Sequence, residues 1–176
     1  MTVFVVLLAL AACSALAQQT TPIGGTVQYA FTPGGRADTL IIAAIDDAQR
    51  QVLVQAYSFT HRRIAEALVR ANRRGVEVAV IVDAEQARVE PAVLRELARG
   101  GVAVRFDAKH AAAHNKIIVI DSGSENCAVV TGSFNFTYAA QQRNAENALV
   151  LRGNPPLCGA YYDNWRRHYT HASVRN

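Results

Sequence analysis

The sequence predicts an α/β fold in which a mixed, largely parallel central sheet carries helices on both faces. Apolar strand-like runs alternate along the chain with amphipathic helical segments, and this order implies crossover connections between strands. The runs 76–82 and 116–120 are apolar almost throughout, as strands covered on both faces are. At 176 residues, with 51% apolar and 18% charged residues, the chain has the composition of a globular protein with one sizeable core.

The N-terminal segment predicts export. Residues 1–17 form an uncharged apolar run ending in Ala15-Leu-Ala17, which is typical of a signal peptide and its cleavage site. Leu10-Ala-Ala-Cys13 also resembles the box of bacterial lipoproteins, in which Cys13 becomes the lipidated first residue. Both interpretations predict a periplasmic or secreted protein, and they differ in whether it is anchored. The run is too short for a comfortable membrane span, and no second apolar stretch of the required length follows it. We therefore predict no integral membrane segment after signal removal.

Hydrophobic periodicity and capping residues assign the remaining elements. Residues 18–26, rich in Thr, Gln and Gly, are expected to be a flexible lead-in to one domain at 27–176. The predicted elements, in order, are a strand at 27–31, a helix from Asp38 or Thr39 to about 49, a strand at 52–57, a helix from Ser58 or Thr60 to 74, a strand at 76–82, a helix at 91–98, strands at 102–106, 116–120, 127–131 and 145–151, and a helix at 155–169. The segment Pro33-Gly-Gly predicts a turn after the first strand, and Gly75 ends the second helix.

Positive charge is concentrated on the second predicted helix. The formal net charge is +4, from 18 Lys and Arg against 14 Asp and Glu, and a mildly basic body favours polyanions. The outward-facing basic residues of this helix are Arg62, Arg63, Arg70, Arg73 and Arg74. These arginines could bind a nucleic-acid backbone through paired hydrogen bonds, or they could form an ordinary solvated face. We favour the solvated face, so any nucleic-acid binding should depend little on base sequence.

Reactive side chains cluster in two short stretches, His114-Asn-Lys116 and Gly132-Ser-Phe-Asn135. Successive strand residues point to opposite faces, so His114 and Lys116 share a side and can converge on one small anion. Gly132 allows a close approach, and Ser133 and Asn135 again share a face. Two adjacent strand ends would thus present an imidazole, an ammonium, a hydroxyl and an amide, a set that suits a phosphate.

This pattern resembles the signature of the phospholipase D superfamily. The matching residues are His114, Lys116, Asp121, Gly132, Ser133 and Asn135. The stretches 55–60, 67–76 and 132–137 are similar to small bacterial nucleases of that superfamily, and the resemblance covers roughly residue 27 to the C-terminus. It implies a phospholipase D-like α/β/α sandwich. The ten residues between Asp121 and Gly132 are compatible with it if 122–126 form a hairpin turn.

One copy of the motif implies, in this superfamily, a homodimer whose two copies complete one site. One chain's His114 would attack phosphorus and form a phosphohistidine, while the partner's His114 would protonate the leaving oxygen. Lys116 and Asn135 would bind the nonbridging oxygens, a role that other phosphoryl enzymes give to metal ions, and we therefore expect neither metal nor other cofactor. Ser133 would bind a phosphate oxygen or position Asn135.

Two acidic residues take supporting roles in this scheme. Glu146 matches the acidic partner of the family, which orients the histidine ring through its other nitrogen. Asp121 follows the far end of the histidine strand, so a structural role is expected for it. Gly132 is likewise assigned a supporting role behind the reactive groups.

The remaining histidines receive no chemical role. His61, His168 and His171 lie on predicted helices or beyond them, where surface or capping positions are the default expectation. His110 precedes His114 by four residues and is interpreted as a loop residue near the mouth of the site. An isolated histidine pair is weak evidence for a metal, and we assign none.

Two cysteines, Cys127 and Cys158, remain once the signal peptide is removed. Their even number and the oxidising compartment make a disulfide plausible. Two buried thiols fit equally well, because the sequence does not reveal the distance between the two Cα atoms.

Three functions fit these observations. The first is an exported endonuclease that cuts DNA, and RNA as well, with little sequence preference. The second is a phospholipase D that hydrolyses phosphatidylcholine-type phospholipids to phosphatidic acid at the same site. The third is a catalytically silent module that binds nucleic acid or lipid. Small size, one motif copy and mild basicity favour the endonuclease, and the intact reactive set argues against the silent module.

Overall fold

Within residues 20–22, 24–89 and 92–174, which the computed structural model describes, seven strands form one mixed sheet. The strands are β1 (Thr26–Thr32), β2 (Gln51–Ala56), β3 (Glu77–Asp83), β4 (Ala103–Asp107), β5 (Lys116–Ile120), β6 (Ala128–Gly132) and β7 (Glu146–Arg152). They pair in the order β1-β7-β6-β5-β2-β3-β4. The expected signal peptide and Cys13 lie outside the described residues. No helix among the described residues is long and apolar enough to cross a membrane.

The sheet is less parallel than the sequence predicts. Only β2, β3 and β4 run parallel, and the other four pairings are antiparallel. Between β5 and β6 the connection is a hairpin turn, as expected for 122–126, and such a turn is too short for the crossover that parallel strands need. The predicted α/β class with a mixed sheet is confirmed, while the expected predominance of parallel pairs is wrong.

Six helices complete the described part of the fold. They are α1 (Ala37–Asp46), α2 (Arg62–Arg73), α3 (Ala84–Val89), α4 (Ala92–Arg99), α5 (Tyr138–Gln142) and α6 (Pro155–His171). Sequence analysis misses α3 and α5, which are too short to show a helical period. Local caps stabilise both: Asp83 accepts hydrogen bonds from the first amides of α3, and Thr137 accepts one from Ala140.

Helices cover both faces of the sheet, as predicted. On one face, α1, α2 and α4 pack their apolar sides on alternate residues of the central strands, including Val54, Val80 and Ile118. On the other face, α6 places Trp165 against Leu53, Ile81 and Val119. The indole Nε1 of Trp165 also donates a hydrogen bond of 3.0 Å to the backbone oxygen of Val54.

Strand directions gather the motif residues at one end of the sheet. The strand β5 begins where β2 ends, because the two are antiparallel and Ala56 pairs with Lys116. At the same end, β6 finishes with Gly132 and β7 begins with Glu146. We call this the motif end of the sheet.

The structure joins Cys127 and Cys158 in a disulfide, with 6.4 Å between their Cα atoms. Cys127 directly precedes β6 and Cys158 lies near the start of α6. The bond therefore ties α6 to the sheet at the end opposite to the motif end, and of the two alternatives the structure has the disulfide.

Asp121 organises that opposite end. Its carboxylate accepts hydrogen bonds from the backbone amides of Gln49, Arg50 and Gln51, at 2.9, 2.8 and 2.9 Å. Asp121 itself adopts a left-handed backbone conformation, with φ of 49°. Asp121 follows Lys116 by five residues along the strand direction, a span of about 17 Å. Asp121 thus connects the end of β5 to the entry of β2 and is too far from Lys116 to share a substrate with it.

We expect Asp121→Ala to lower the free energy of unfolding by about 2–4 kcal/mol, because three backbone amides lose a charged acceptor and alanine disfavours a positive φ. Asp121→Asn should cost less, since asparagine keeps one acceptor oxygen and tolerates the left-handed conformation. Urea denaturation of both variants measures the difference. A loss below about 1 kcal/mol for Asp121→Ala would contradict the structural role.

Candidate active site

His114 and Lys116 form the centre of the site. The two residues lie at the start of β5, where His114 is exposed and Lys116 is half-buried. Lys116 Nζ lies 3.0 Å from His114 Nδ1 and donates a hydrogen bond of 2.8 Å to the backbone oxygen of His114. An ammonium can only donate, so Nδ1 accepts while Lys116 is charged. The aromatic ring of Tyr57 completes the group, 4.3 Å from the His114 ring and 5.0 Å from Nζ, measured to the Tyr57 centroid.

Glu146 acts on the lysine rather than on the imidazole. Burial lowers the pKa of Lys116, and the negative charge of Glu146 partly opposes this shift. The carboxylate of Glu146 accepts a hydrogen bond of 3.0 Å from Asn144 Nδ2. Among the described residues, no hydrogen bond joins Glu146 to His114. We expected Glu146 to orient the His114 ring. In the single chain it makes no such hydrogen bond, and Lys116 lies next to Nδ1 of that ring instead.

The segment after β6 presents its polar residues through anchored phenylalanines. Phe134 and Phe136 are buried, and the Phe136 ring packs 5.6 Å from that of Phe59. Ser133 and Asn135, which alternate with these two phenylalanines, consequently face away from the core, as the alternation predicts. Gly132 has φ of 145°, and a Cβ there would collide with the backbone oxygen of Asn147. The motif glycine is thus required by this close approach.

Ser133 and Asn135 lie at the motif end but do not contact His114. Ser133 Oγ accepts hydrogen bonds from Asn147, at 3.0 Å from the backbone amide and 3.3 Å from the side chain. The side-chain oxygen of Asn135 is buried and has no hydrogen-bond partner within the described residues. Such an oxygen is costly to leave unpaired, so Asn135 is available to a partner that this chain does not supply.

The arginines of α2 are largely engaged within the chain. Arg63 pairs with Asp38 at 2.7 Å, and Arg70 pairs with Asp46 at 3.0 Å. Arg62 lies 3.4 Å from Glu96. These contacts agree with the solvated face that the sequence favours over a nucleic-acid track.

A histidine cluster that the sequence does not predict lies at the end of β4, on the edge of the sheet opposite to β1. His110, His168 and His171 all contact the carboxylate of Asp107, at 3.2, 2.9 and 3.1 Å. The expectation that His168 and His171 serve surface or capping roles is therefore wrong. His110 lies in the loop between β4 and β5, as predicted, but it also contacts Asp107. The spacings Asp-x-x-His and His-x-x-His are a usable signal, but the fold alone brings the two pairs together.

His61 occupies the N-cap position of α2, one of the roles predicted for it, but it is buried and its side chain makes no capping hydrogen bond. Burial lowers its pKa against the opposing influence of Asp38, whose carboxylate is 3.7 Å away. The backbone amide of His61 donates a hydrogen bond of 2.9 Å to the backbone oxygen of Phe136, so His61 joins the start of α2 to the segment after β6.

Comparison with known proteins places this site in a family. The family model described as "Cardiolipin synthase, PLD-like domain" matches residues 41–168. The protein named "Phospholipase D" from Rickettsia conorii is 37% identical over 139 residues, which are 79% of this chain and 67% of that protein. "Mitochondrial cardiolipin hydrolase" from Xenopus laevis is 36% identical over 103 residues, 58% of this chain and 47% of that protein.

Solved structures agree. Nuc from Salmonella typhimurium, described as a phospholipase D family member, superposes with a TM-score of 0.78 at 35% identity. The match covers 86% of this chain and 99% of Nuc. NucT from Helicobacter pylori superposes with a TM-score of 0.73 at 22% identity, covering 85% of this chain and 100% of NucT, and it supports the fold. The chain belongs to the phospholipase D superfamily of phosphodiesterases.

Proposed function

We propose that the protein is an endonuclease that hydrolyses DNA, and RNA as well, through a phosphohistidine formed at a site shared by two copies of the chain. The observation that carries this proposal is the exposed His114 beside Lys116, at the end of the sheet where Ser133 and Asn135 follow β6. The likeness to Nuc extends over nearly all of that protein, whereas the "Phospholipase D" proteins are matched over about two thirds of their length. This difference in coverage supports the nuclease.

His114 supplies both the nucleophile and the acid in this scheme. One copy attacks phosphorus, the P–O bond to the leaving oxygen breaks, and the partner's His114 donates a proton to that oxygen. The partner's His114, now neutral, then takes a proton from a water molecule that attacks the phosphohistidine, and the N–P bond breaks to free the imidazole. Substrate phosphate competes with Nδ1 for Lys116 Nζ, because an anion is a stronger acceptor for an ammonium than a neutral imidazole is. Phosphate binding would thus release His114 for attack.

Lys116, Asn135 and Ser133 bind the phosphate and stabilise the charge of the five-coordinate state. Glu146 keeps Lys116 protonated in spite of its partial burial, which is the role that their electrostatic interaction supports. In the dimer Glu146 can also reach the imidazole once Lys116 has turned to the phosphate. Gly132 allows the close approach of β6 to β7 next to the site. Asp121 fixes the far end of β5 to the entry of β2.

A second copy of the chain would complete the site. Each chain offers only one His114, and the mechanism needs two. The edge strand β1 exposes three apolar side chains that alternate along it, Val27, Tyr29 and Phe31. Phe31 pairs with Asn147, which contacts Ser133, so this apolar strip is continuous with the motif end. A second copy that covers the strip would bring its own motif end close to the first.

The donor set of the site favours chemistry without a catalytic metal. Beside the ammonium of Lys116, the motif residues at this site offer one imidazole and one carboxylate, those of His114 and Glu146. Catalytic zinc normally takes three protein ligands, and a neighbouring ammonium disfavours a second cation. We therefore assign the charge stabilisation to Lys116 and Asn135 and include no cofactor.

We also propose that the protein is exported, as residues 1–17 indicate, with 18–26 as a lead-in and 27–176 as one domain. Lipid anchoring through Cys13 is the alternative to free release. The second candidate function, hydrolysis of phosphatidylcholine-type phospholipids, is favoured by the names of relatives that are 35–37% identical. Both functions use the same phosphodiester chemistry, so only the substrate separates them.

The substrate is tested by incubating the mature protein with plasmid DNA, RNA and phosphatidylcholine vesicles in parallel, each with and without excess EDTA. We expect nicking and cutting of DNA with intact vesicles under both conditions, and His114→Ala should reduce cleavage at least about 10⁴-fold because the nucleophile is lost. Thr170→Ala is the control, since it changes an exposed side chain of α6 outside the motif. Lipid hydrolysis with intact DNA would establish the alternative, and loss of cleavage only in EDTA would refute the metal-free chemistry.

Mixed dimers test the shared site. Wild-type and His114→Ala chains are unfolded together, refolded at equal amounts and assayed at constant total protein. If one site needs both histidines, activity falls to about one quarter of the wild-type value, because only dimers with two intact copies work. If each chain acts alone, activity falls to about one half. The second result would contradict the shared site, and native mass spectrometry, which separates the mixed dimer from both parent dimers by mass, confirms that mixing has occurred.

The alkaline limb of the pH profile tests the pair Lys116 and Glu146. Burial lowers the pKa of Lys116, so activity should fall as pH rises through a value below the ordinary one. Glu146→Gln removes the charge that raises this pKa, and the limb of kcat/KM should move to lower pH. Lys116→Arg should have lower activity, and the alkaline fall in activity caused by deprotonation of Lys116 should be absent, because a guanidinium stays protonated. Glu125→Gln, which removes an exposed carboxylate at the opposite end of the sheet, should leave the limb in place. A lower kcat without a shifted limb in Glu146→Gln would assign the carboxylate to the imidazole instead.

A further inference from the structure

Four potential ligands converge at the end of β4. Asp107 is the last residue of β4 and its side chain is fully buried, whereas His110 follows it in the loop to β5. His168 and His171 come from the last turns of α6, three residues apart, so they share one face of the helix. One ligand atom from each of the four residues can be chosen so that all lie within 4.8 Å of one another.

The distances within this cluster fit metal coordination. A zinc ion bound at about 2.0–2.1 Å by four ligands in a tetrahedron separates the ligand atoms by about 3.3 Å. From Asp107 Oδ2, the nitrogens His168 Nδ1, His171 Nε2 and His110 Nδ1 lie at 2.9, 3.1 and 3.2 Å. The nitrogens would move away from Oδ2 by a few tenths of an ångström, and ligand atoms that lie further apart, up to 4.8 Å, would move closer together to form the tetrahedron. His110 and His171 are partly exposed, which leaves an entry path from solvent.

The charges in the cluster also suit a cation. The imidazole rings lie 4.8 to 5.3 Å apart, measured between centroids, and only one carboxylate faces them. The Asp107 carboxylate faces all three imidazoles and also accepts a hydrogen bond of 3.0 Å from the backbone amide of Lys109. Imidazole nitrogens beside a carboxylate form a donor set that zinc binds well.

We propose that Asp107, His110, His168 and His171 bind a divalent transition metal of the zinc type in a structural site. With four protein ligands the coordination is closed, which is typical of structural zinc. The site lies three strands away from β5 in the sheet, about 14 Å from the motif strand. The proposal concerns a site separate from the phosphodiesterase centre and does not depend on the substrate proposed above.

The metal would join three parts of the fold. Its ligands come from the end of β4, from the loop that leads to His114, and from the end of α6. That loop has a second anchor, because the backbone amide of Ala113 donates a hydrogen bond of 2.9 Å to the buried Asp83. The end of α6 has other ties to β4, since Arg105 donates hydrogen bonds to the backbone oxygens of Tyr169 and Ala172. A bound metal would therefore restrict the loop just before His114 and the last turns of α6.

The test is zinc binding by untagged protein that has been stripped with a chelator and dialysed. We expect isothermal titration with ZnCl₂ to show one zinc per chain, and a rise in the melting temperature that excess EDTA reverses. Co²⁺ in place of zinc should show the visible absorption of a tetrahedral site. The double variant His168→Ala/His171→Ala should lose the stoichiometric binding and the zinc-dependent rise in melting temperature.

Three single variants keep the test decisive if the double variant folds poorly. His110→Ala alters only a loop side chain and should weaken zinc binding at least about tenfold. Thr170→Ala, between the two helix histidines and exposed, should bind as the wild type does. His114→Ala should also bind normally, and weaker binding by that variant would place the metal at the motif instead. Absence of stoichiometric zinc in the wild type, or equal binding by His110→Ala, would overturn the proposal.

The two proposals fail separately. If the metal is structural, EDTA lowers the melting temperature of the wild type but leaves DNA cleavage unchanged at temperatures well below that transition. If zinc binds but DNA is untouched, the metal site stands and the substrate assignment fails. If no zinc binds while DNA is cleaved, the reverse holds.

Discussion

The pairing of β5 with β2 at the centre of the sheet is the constraint on which the rest of the structure depends. The residues that follow Lys116 in β5 are apolar and buried, so a slip by one residue would send every side chain to the opposite face. This register places Lys116 opposite Ala56 at one end and brings Asp121 to the amides before β2 at the other. One strand thus positions the reactive lysine and closes the far end of the sheet.

The site that results is open because its polar groups follow strand ends instead of lining a cavity. His114 lies on the surface, and Lys116 donates a hydrogen bond to its backbone oxygen. A phosphodiester needs to be surrounded by donors if water is to be excluded while phosphorus is attacked. This open arrangement is the reason why the mechanism proposed above includes a second copy of the chain.

The C-terminal helix is tied to the sheet in three different ways. The disulfide from Cys158 lies near its start, Trp165 packs at its middle, and the histidine cluster lies at its end. These ties are spread along the helix, so no single one is responsible for holding it in place. The edge strand β1 keeps Val27, Tyr29 and Phe31 exposed.

The sequence by itself determined the α/β class and the approximate position of most elements, and it indicated the candidate reactive residues. These features are local: the period of an apolar run and the spacing of His114, Lys116 and Asn135 can be read without knowing which strands are neighbours. The tertiary structure decided what depends on distant pairs. It paired β5, β6 and β7 antiparallel, joined Cys127 to Cys158, set Lys116 rather than Glu146 against the imidazole, and brought Asp107 and His110 to His168 and His171. Sequence separations of up to 64 residues lie between the members of that cluster, and only the packing of α6 across the sheet closes them.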